Sequence, residues 1–248
     1  MTFTTPTQMI TQDNVVPFFA GNQLTKDTSE QIQYLDSNSL HRAPLESLIT
    51  HVFKKYYNTE LDHFYPNLLS IESDQSIKAV AGVRCAADEP LFSEYYLANS
   101  LETELESLYN RKISREYIVE VGNLAPANVG QMRWLIASIT AFLYSAGFQA
   151  IVFTAVPGVS NAFKRMNIPL QYITDAEHHK LPENIQDKWD KQYYQSKPKV
   201  FSGDIVAGFN IMKENIYNSN KKLIPLFEKA CHLGRQFRHA NADTGAAA

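Results

Sequence analysis

Apolar positions recur along this chain with two periods, and each switch between them marks an element. In "PLESLITHVFKKYY", residues 44–57, Leu45, Leu48, Ile49, Val52, Phe53 and Tyr56 share one helical face, and Pro44 is tolerated in the first turn. "NLLSIESDQSIKAVAGVR" reads as two strands joined around Ser73 to Ser76, which is hairpin spacing. "LFSEYYL" fits a short helix or turn. "SLETELESLYNRK" then predicts a helix with Ser100 as N-cap, acids early and bases late. "YIVEVGN" predicts a strand, and 129–146 a helix whose stripe is Met132, Leu135, Ile136, Ile139, Phe142 and Leu143, closed by Gly147 at C′. "QAIVFTAV" is β-rich and too short for a buried helix. Beyond Pro157-Gly158, read as a turn, "VSNAFKRM" predicts a short helix capped by Ser160 and Asn161, and "LQYIT" a further strand. Residues 176–208 are loop-rich, with "DKWDKQYYQ" a candidate helix. "IMKENIYNSNKKLIPLFEKACHL" predicts one helix, or two broken near Pro225.

This alternation of helices and strands predicts an α/β layered domain. The 248 residues suffice for one large domain with extensions. The first 39 residues, rich in Thr, Gln, Asn and Ser, read as a polar arm without a secretion signal; the last, "RQFRHANADTGAAA", read as a weakly ordered tail. A net charge of −3 with no basic block disfavours nucleic acid and anionic membranes. Two distant cysteines, Cys85 and Cys231, without metal-ligand spacing, fit reduced thiols in a cytoplasmic protein. Asp175, Glu177, His178 and His179 lack the spacing of a metal site and read as a solvated loop, so no metal is expected. Between Trp134 and Val159 there is no charge, which a hydropathy window flags as a membrane span; the change of period at Gly147 argues instead for a buried helix followed by a buried strand.

The candidate chemistry centres on Glu120. An acid between Val119 and Val121 in a buried strand is expensive without partners. Ile118, Glu120 and Gly122 share one strand face, so the acid stands beside a residue without a side chain, a local opening with room for a ligand or another backbone. A carboxylate there suits proton acceptance from an attacking amine, or anchoring of a cationic group; the bland alternatives are an ion pair with an arginine such as Arg84 and a solvated acid on an edge strand. The segment "APANVGQ" opens the next helix, where free N–H groups and Gly130 suit a phosphate.

"LLSIESDQSIKAVAGVRCAADEPLFSEYYL", "REYIVEVGNLA", "GFQAIVFTA", "NAFKRMNIPL" and "PKVFSGDIVAG" together resemble the thermostable hemolysin family over about residues 40–208. That family is similar to the GNAT acyltransferases, especially their acyl-homoserine-lactone synthase branch. The resemblance implies a mixed, mostly antiparallel central sheet with a splayed parallel strand pair, flanked by helices, over 40–208, with 209–248 a helical extension. It implies an acyl-CoA or the phosphopantetheine of an acyl carrier protein as donor, a small amine as acceptor, and no metal. It also implies Glu120 as base or amine anchor and Arg84 and Asp62 as pocket residues. Asn123 stands where the synthases have arginine. The candidate donor-binding positions are Leu124, Ala125, Val129, Gly130, Gln131 and Asn161. Tyr95, Tyr96 and Tyr109 are candidates to protonate the leaving thiolate. The family's name implies a rival activity, membrane lysis with 134–159 as the inserting element. A ligand-sensing module without chemistry is a third reading.

Overall fold

The computed structural model describes residues 30–245, apart from 62, 75, 187, 188 and 190, with side chains up to residue 238. Seven strands, β1 (Gln31–Leu35), β2 (Asn67–Ser73), β3 (Ser76–Cys85), β4 (Ile118–Pro126), β5 (Ala150–Ala155), β6 (Gln171–Asp175) and β7 (Lys199–Asp204), form one sheet in the order β1-β2-β3-β4-β5-β7-β6. Every neighbouring pair is antiparallel except β4 and β5, which run parallel through α3 (Met132–Ala146). The remaining helices are α1 (Ala43–Tyr57), α2 (Leu101–Tyr109), α4 (Pro157–Arg165), the short α5 (Glu183–Gln186) and α6 (Lys191–Gln195), α7 (Ile205–Ser219) and α8 (Ile224–Gly245). The expected mixed sheet with one parallel pair is what the chain forms.

One face of the sheet packs on α3, where Leu69, Ala81, Val83, Val119 and Val121 meet Leu135, Ile139 and Phe142. Helix α8 covers the outer side of α3. At Gly234 an added Cβ would lie 2.3 Å from the Phe142 carbonyl, so only glycine allows this backbone approach. That second neighbour explains why Ala137, Ser138 and Ala141 are buried outside the predicted stripe. The opposite face of the sheet carries two separate covers. Helix α1 lies over Leu68, Val80 and Ala125, while α2 and a 3-10 turn, Phe92–Tyr96, lie over Ile118, Ala150 and Val152.

The apolar run from Trp134 to Val159 forms the expected buried helix, α3, and buried strand, β5, and no helix among the described residues is long and apolar enough to cross a membrane. Other expectations need correction, the first being the turn at Pro157-Gly158, which is the start of α4. Helix α4 begins at Pro157 with Val156 at the N-cap, so Ser160 and Asn161 lie inside the helix and do not cap it. Proline at N1 supplies helical φ and needs no donor there. In α1, Tyr56 is 52% exposed and Tyr57 packs in its place. The tail is helical as far as Gly245, and α7 and α8 are separate, with Pro225 in the first turn of α8. Helix α2 ends at Tyr109, before the basic residues expected in its last turn. Strand β1 was not foreseen: it forms within the stretch read as the arm, and residue 208 falls inside α7.

Candidate active site

Between the two covers on that face runs a polar seam. The register sets Arg84 opposite Glu120 and Gly82 opposite Gly122. Asn123, at φ +49°, sits where the β3–β4 pairing slips by a residue, a bulge that turns its side chain toward the seam. Its Oδ1 accepts the Tyr65 N–H at 2.9 Å. Tyr65 then lies flat on both glycines: an added Cβ would come within 2.7 Å of it at Gly82 and 2.6 Å at Gly122. The opening expected beside Glu120 is therefore filled by an aromatic ring of the chain itself, because two register-paired glycines make a shelf of ring size.

Glu120 is 1% exposed. Its Oε2 accepts the Phe92 N–H at 2.9 Å, and its Oε1 accepts the Ser93 N–H at 2.7 Å and also the Ser93 hydroxyl. These donors come from the 3-10 turn, whose first N–H groups have no partner within it. Burial raises the Glu120 pKa, and the Ser93 hydroxyl, the two N–H groups and the Arg84 charge oppose that rise. The Tyr65 hydroxyl lies beside the carboxylate, and burial with that negative charge holds its pKa well above the ordinary phenol value. The Arg84 guanidinium stacks on the Tyr65 ring with Cζ 4.6 Å from its centre. Its Nε lies 3.2 Å from Glu89 Oε1 but is not aligned for a hydrogen bond, and it is buried without one.

Parallel pairing of β4 with β5 ends at Glu120 and Val152, although β4 continues to Pro126 and β5 to Ala155. Beyond that pair the strands no longer bond. On the α3 side of this gap lies a cavity of about 30 Å³, walled by Val121, Leu124, Phe153, Ile136, Phe163 and Gly208. On the seam side stands Thr154, two residues past the last pair, with Oγ1 3.4 Å from Ser93 Oγ.

The other expected residues divide. Glu120, Arg84 and Asn123 come together. Asp62 lies outside the described residues, and the nearby Glu60 is an exposed partner of Lys54 at 2.7 Å. Leu124 borders the cavity, whereas Ala125 is fully buried under α1 and presents no side chain to a ligand. At the start of α3, Val129 is 78% exposed, Gly130 is exposed, and Gln131 folds back so that its Oε1 accepts the Asn128 N–H at 3.2 Å. Gln131 also borders a second hollow of about 90 Å³ with Lys78 and Trp134. Asn161 is exposed on α4. Of the three tyrosines, Tyr95 is 42% exposed, Tyr96 is bonded to the Tyr194 hydroxyl at 2.7 Å and Tyr109 to Ser202 at 2.9 Å. Tyr65, Ser93 and Thr154 were missed. Pairing Gly82 with Gly122 in the two strand sequences would have signalled a covering ring; nothing local marks Ser93.

A sequence profile of thermostable hemolysins matches residues 35–209. The chain belongs to the thermostable hemolysin family. Among curated proteins, none matches this hemolysin-family chain by sequence. Its fold is similar to those of solved acyl-homoserine lactone synthases. The AHL synthase LasI aligns at 9% identity with a TM-score of 0.50, over 74% of this chain and 96% of its own. The CoA-dependent acyl-homoserine lactone synthase BjaI, with SAM and isopentyl-CoA, aligns at 11% identity and TM-score 0.51, over 76% and 90%. TofI in an apo form aligns at 13% and 0.51, over 74% and 96%. At such identities the likeness is one of fold, the mixed sheet of this chain with its single parallel pair.

Proposed function

We propose that this family member is an acyltransferase that moves an acyl group from an acyl-CoA or acyl-carrier-protein thioester to a small amine. The observation that carries the reading is the end of β4–β5 pairing at Glu120, which sets a buried, basic-shifted carboxylate beside an open gap between parallel strands. Acyl transfer by direct attack needs a proton acceptor for the amine, a thioester fixed within reach, and a place for the acyl chain. Glu120 serves as acceptor, because its raised pKa makes it a stronger base than an exposed carboxylate. Arg84 and Asn123 act on the same face: Arg84 moderates the charge of Glu120, and Asn123 fixes Tyr65 over the seam. Among the phenols it is Tyr65, and not Tyr95, Tyr96 or Tyr109, that lies beside the carboxylate, where its ring shields Glu120 from water. The apolar cavity, small as it stands, marks where the acyl chain enters and must widen to take it, and the start of α3, with Lys78 beside Gln131, takes the donor's phosphates. Solved relatives in fold include a CoA-dependent synthase with SAM and isopentyl-CoA, which favours a thioester donor and an amine-bearing acceptor. Asp62 keeps its role as a pocket residue in this proposal, and the two free cysteines suit a cytoplasmic setting.

The test is mass spectrometry of purified protein with a panel of acyl-CoAs, acyl carrier proteins, amino acids and other small amines. An amide product that depends on Glu120 supports the reading. No product from any pair, together with lysis of liposomes by the pure protein, replaces it with the lytic activity.

A further inference from the structure

We propose that Thr154 and Ser93 form a two-hydroxyl proton relay that connects the buried Glu120 carboxylate to the amine attacking at the gap between β4 and β5. The inference rests on the acyl-transfer reading and adds two residues to it. Glu120 is 1% exposed and already accepts three hydrogen bonds from the turn, so a substrate amine does not reach it directly. Ser93, fully buried, is bonded to it through the hydroxyl. A serine hydroxyl has one hydrogen, and that hydrogen points to Glu120. In the 3.4 Å contact between Ser93 Oγ and Thr154 Oγ1, the threonine is therefore the donor. Thr154 is left with lone pairs free to accept from a substrate N–H, and it is the half-buried member of the set. The chain is polarised from the gap inward to the acid. The long Ser93–Thr154 contact is of the kind that tightens when substrate is bound.

The step balances as follows. The amine nitrogen bonds to the thioester carbonyl carbon while the C=O π pair moves to oxygen. One N–H proton passes to Thr154 Oγ1, the threonine proton to Ser93 Oγ, and the serine proton to Glu120. The carbonyl then re-forms, the C–S bond breaks, and the thiolate regains a proton from Glu120 along the same hydroxyls. Thioester and amine become amide and thiol, and the acid ends as a carboxylate. The charged and titratable groups facing Glu120 are Arg84 from β3 and Tyr65 from the segment before β2, and neither lies on this path.

The experiment is the pH profile of kcat, with KM, for the wild type and for Thr154→Val, Thr154→Ser, Ser93→Ala and Glu120→Gln, using the most productive acyl-CoA and amine of the panel. The isosteric Thr154→Val is expected to lower kcat about tenfold or more at little cost in KM, since it removes proton transfer and no apolar contact. Thr154→Ser restores most of the rate. Ser93→Ala lowers kcat and moves the acid limb to higher pH, because the lost hydroxyl bond had opposed the upward shift of Glu120. Wild-type kcat in Thr154→Val, or a Thr154→Ser variant as slow as the valine one, overturns the relay; loss of activity in Glu120→Gln then leaves acyl transfer standing. A wild type that acylates no amine in the panel removes the reading and the relay together.

Discussion

Two carboxylates grip the same short turn and are driven in opposite directions. Glu94 accepts the Leu91 N–H at 2.6 Å, and Glu120 accepts the next two N–H groups, of Phe92 and Ser93. Both are charge-assisted bonds to backbone. Yet for Glu94 burial is outweighed by the Arg115 guanidinium, 2.6 Å away, and by the Leu91 N–H, so its pKa falls. For Glu120 burial outweighs the same kind of hydrogen bonds and the Arg84 charge, and its pKa rises. Backbone donors alone do not decide the sign; the balance of solvent access against a directly bonded cation does. Glu94 is thus built to hold the turn, and Glu120 is held by the turn in a state suited to taking a proton.

The widest separation between the two acids is expected in turnover. Glu120→Gln should lower kcat at least about tenfold, and by up to the roughly 10²–10⁴ that a general base contributes. Glu94→Gln should leave kcat within about twofold of wild type, a smaller change than loss of a base brings. Equal losses in the two variants would assign Glu120 to structure. Next comes Gly122→Ala, whose Cβ would stand 2.6 Å from the Tyr65 ring. Displacing that ring should cost about 1–3 kcal/mol in urea denaturation. Water admitted to Glu120 should also bring its pKa down toward that of Glu94, readable in the acid limb of kcat.

Stability against pH should separate the pair by sign. The Glu94 contribution is present above the ordinary glutamate pKa, near 4.5, and is lost as pH falls through its lowered folded value. The Glu120 contribution runs the other way, full below about the same pH and lost as pH rises through its raised folded value. Denaturation of Glu94→Gln should therefore show less loss in acid than wild type, and a variant as acid-sensitive as wild type would remove Glu94 from the account. The smallest effect is reserved for Arg115→Gln, which turns Glu94 into a partner of the backbone alone. Its carboxyl pKa should move up, as measured by carboxyl NMR, with a stability change of only about 0.2–1 kcal/mol because the pair is partly solvated.

The sequence made the elements legible wherever periodicity was clean. The hairpin of β2 and β3, Ser100 as the cap of α2 and Gly147 as the left-handed stop of α3 all follow from local pattern. Glu120 was legible as an oddity because a charged residue within an apolar strand violates a strong rule. What surrounds it was not, since Tyr65, Ser93 and Thr154 reach it across 55, 27 and 34 residues of chain respectively, which are simple differences of position. Gly122 shows the limit most clearly. Read alone it is a gap; read with Gly82 across the register, and with Tyr65 pinned by Asn123, it is a seat. Strand β1 escaped because "QIQYL" alternates too briefly to stand out, and pairing with β2 supplies what local preference lacks.

The contact of Gly234 with the Phe142 carbonyl bears on how this protein could ever meet a bilayer. The apolar length of α3 is clasped between the sheet and α8 at backbone distance, so it does not swing out while its surroundings persist. Freeing it would mean dissolving the centre of the molecule, so such an excursion would be as rare as global unfolding itself.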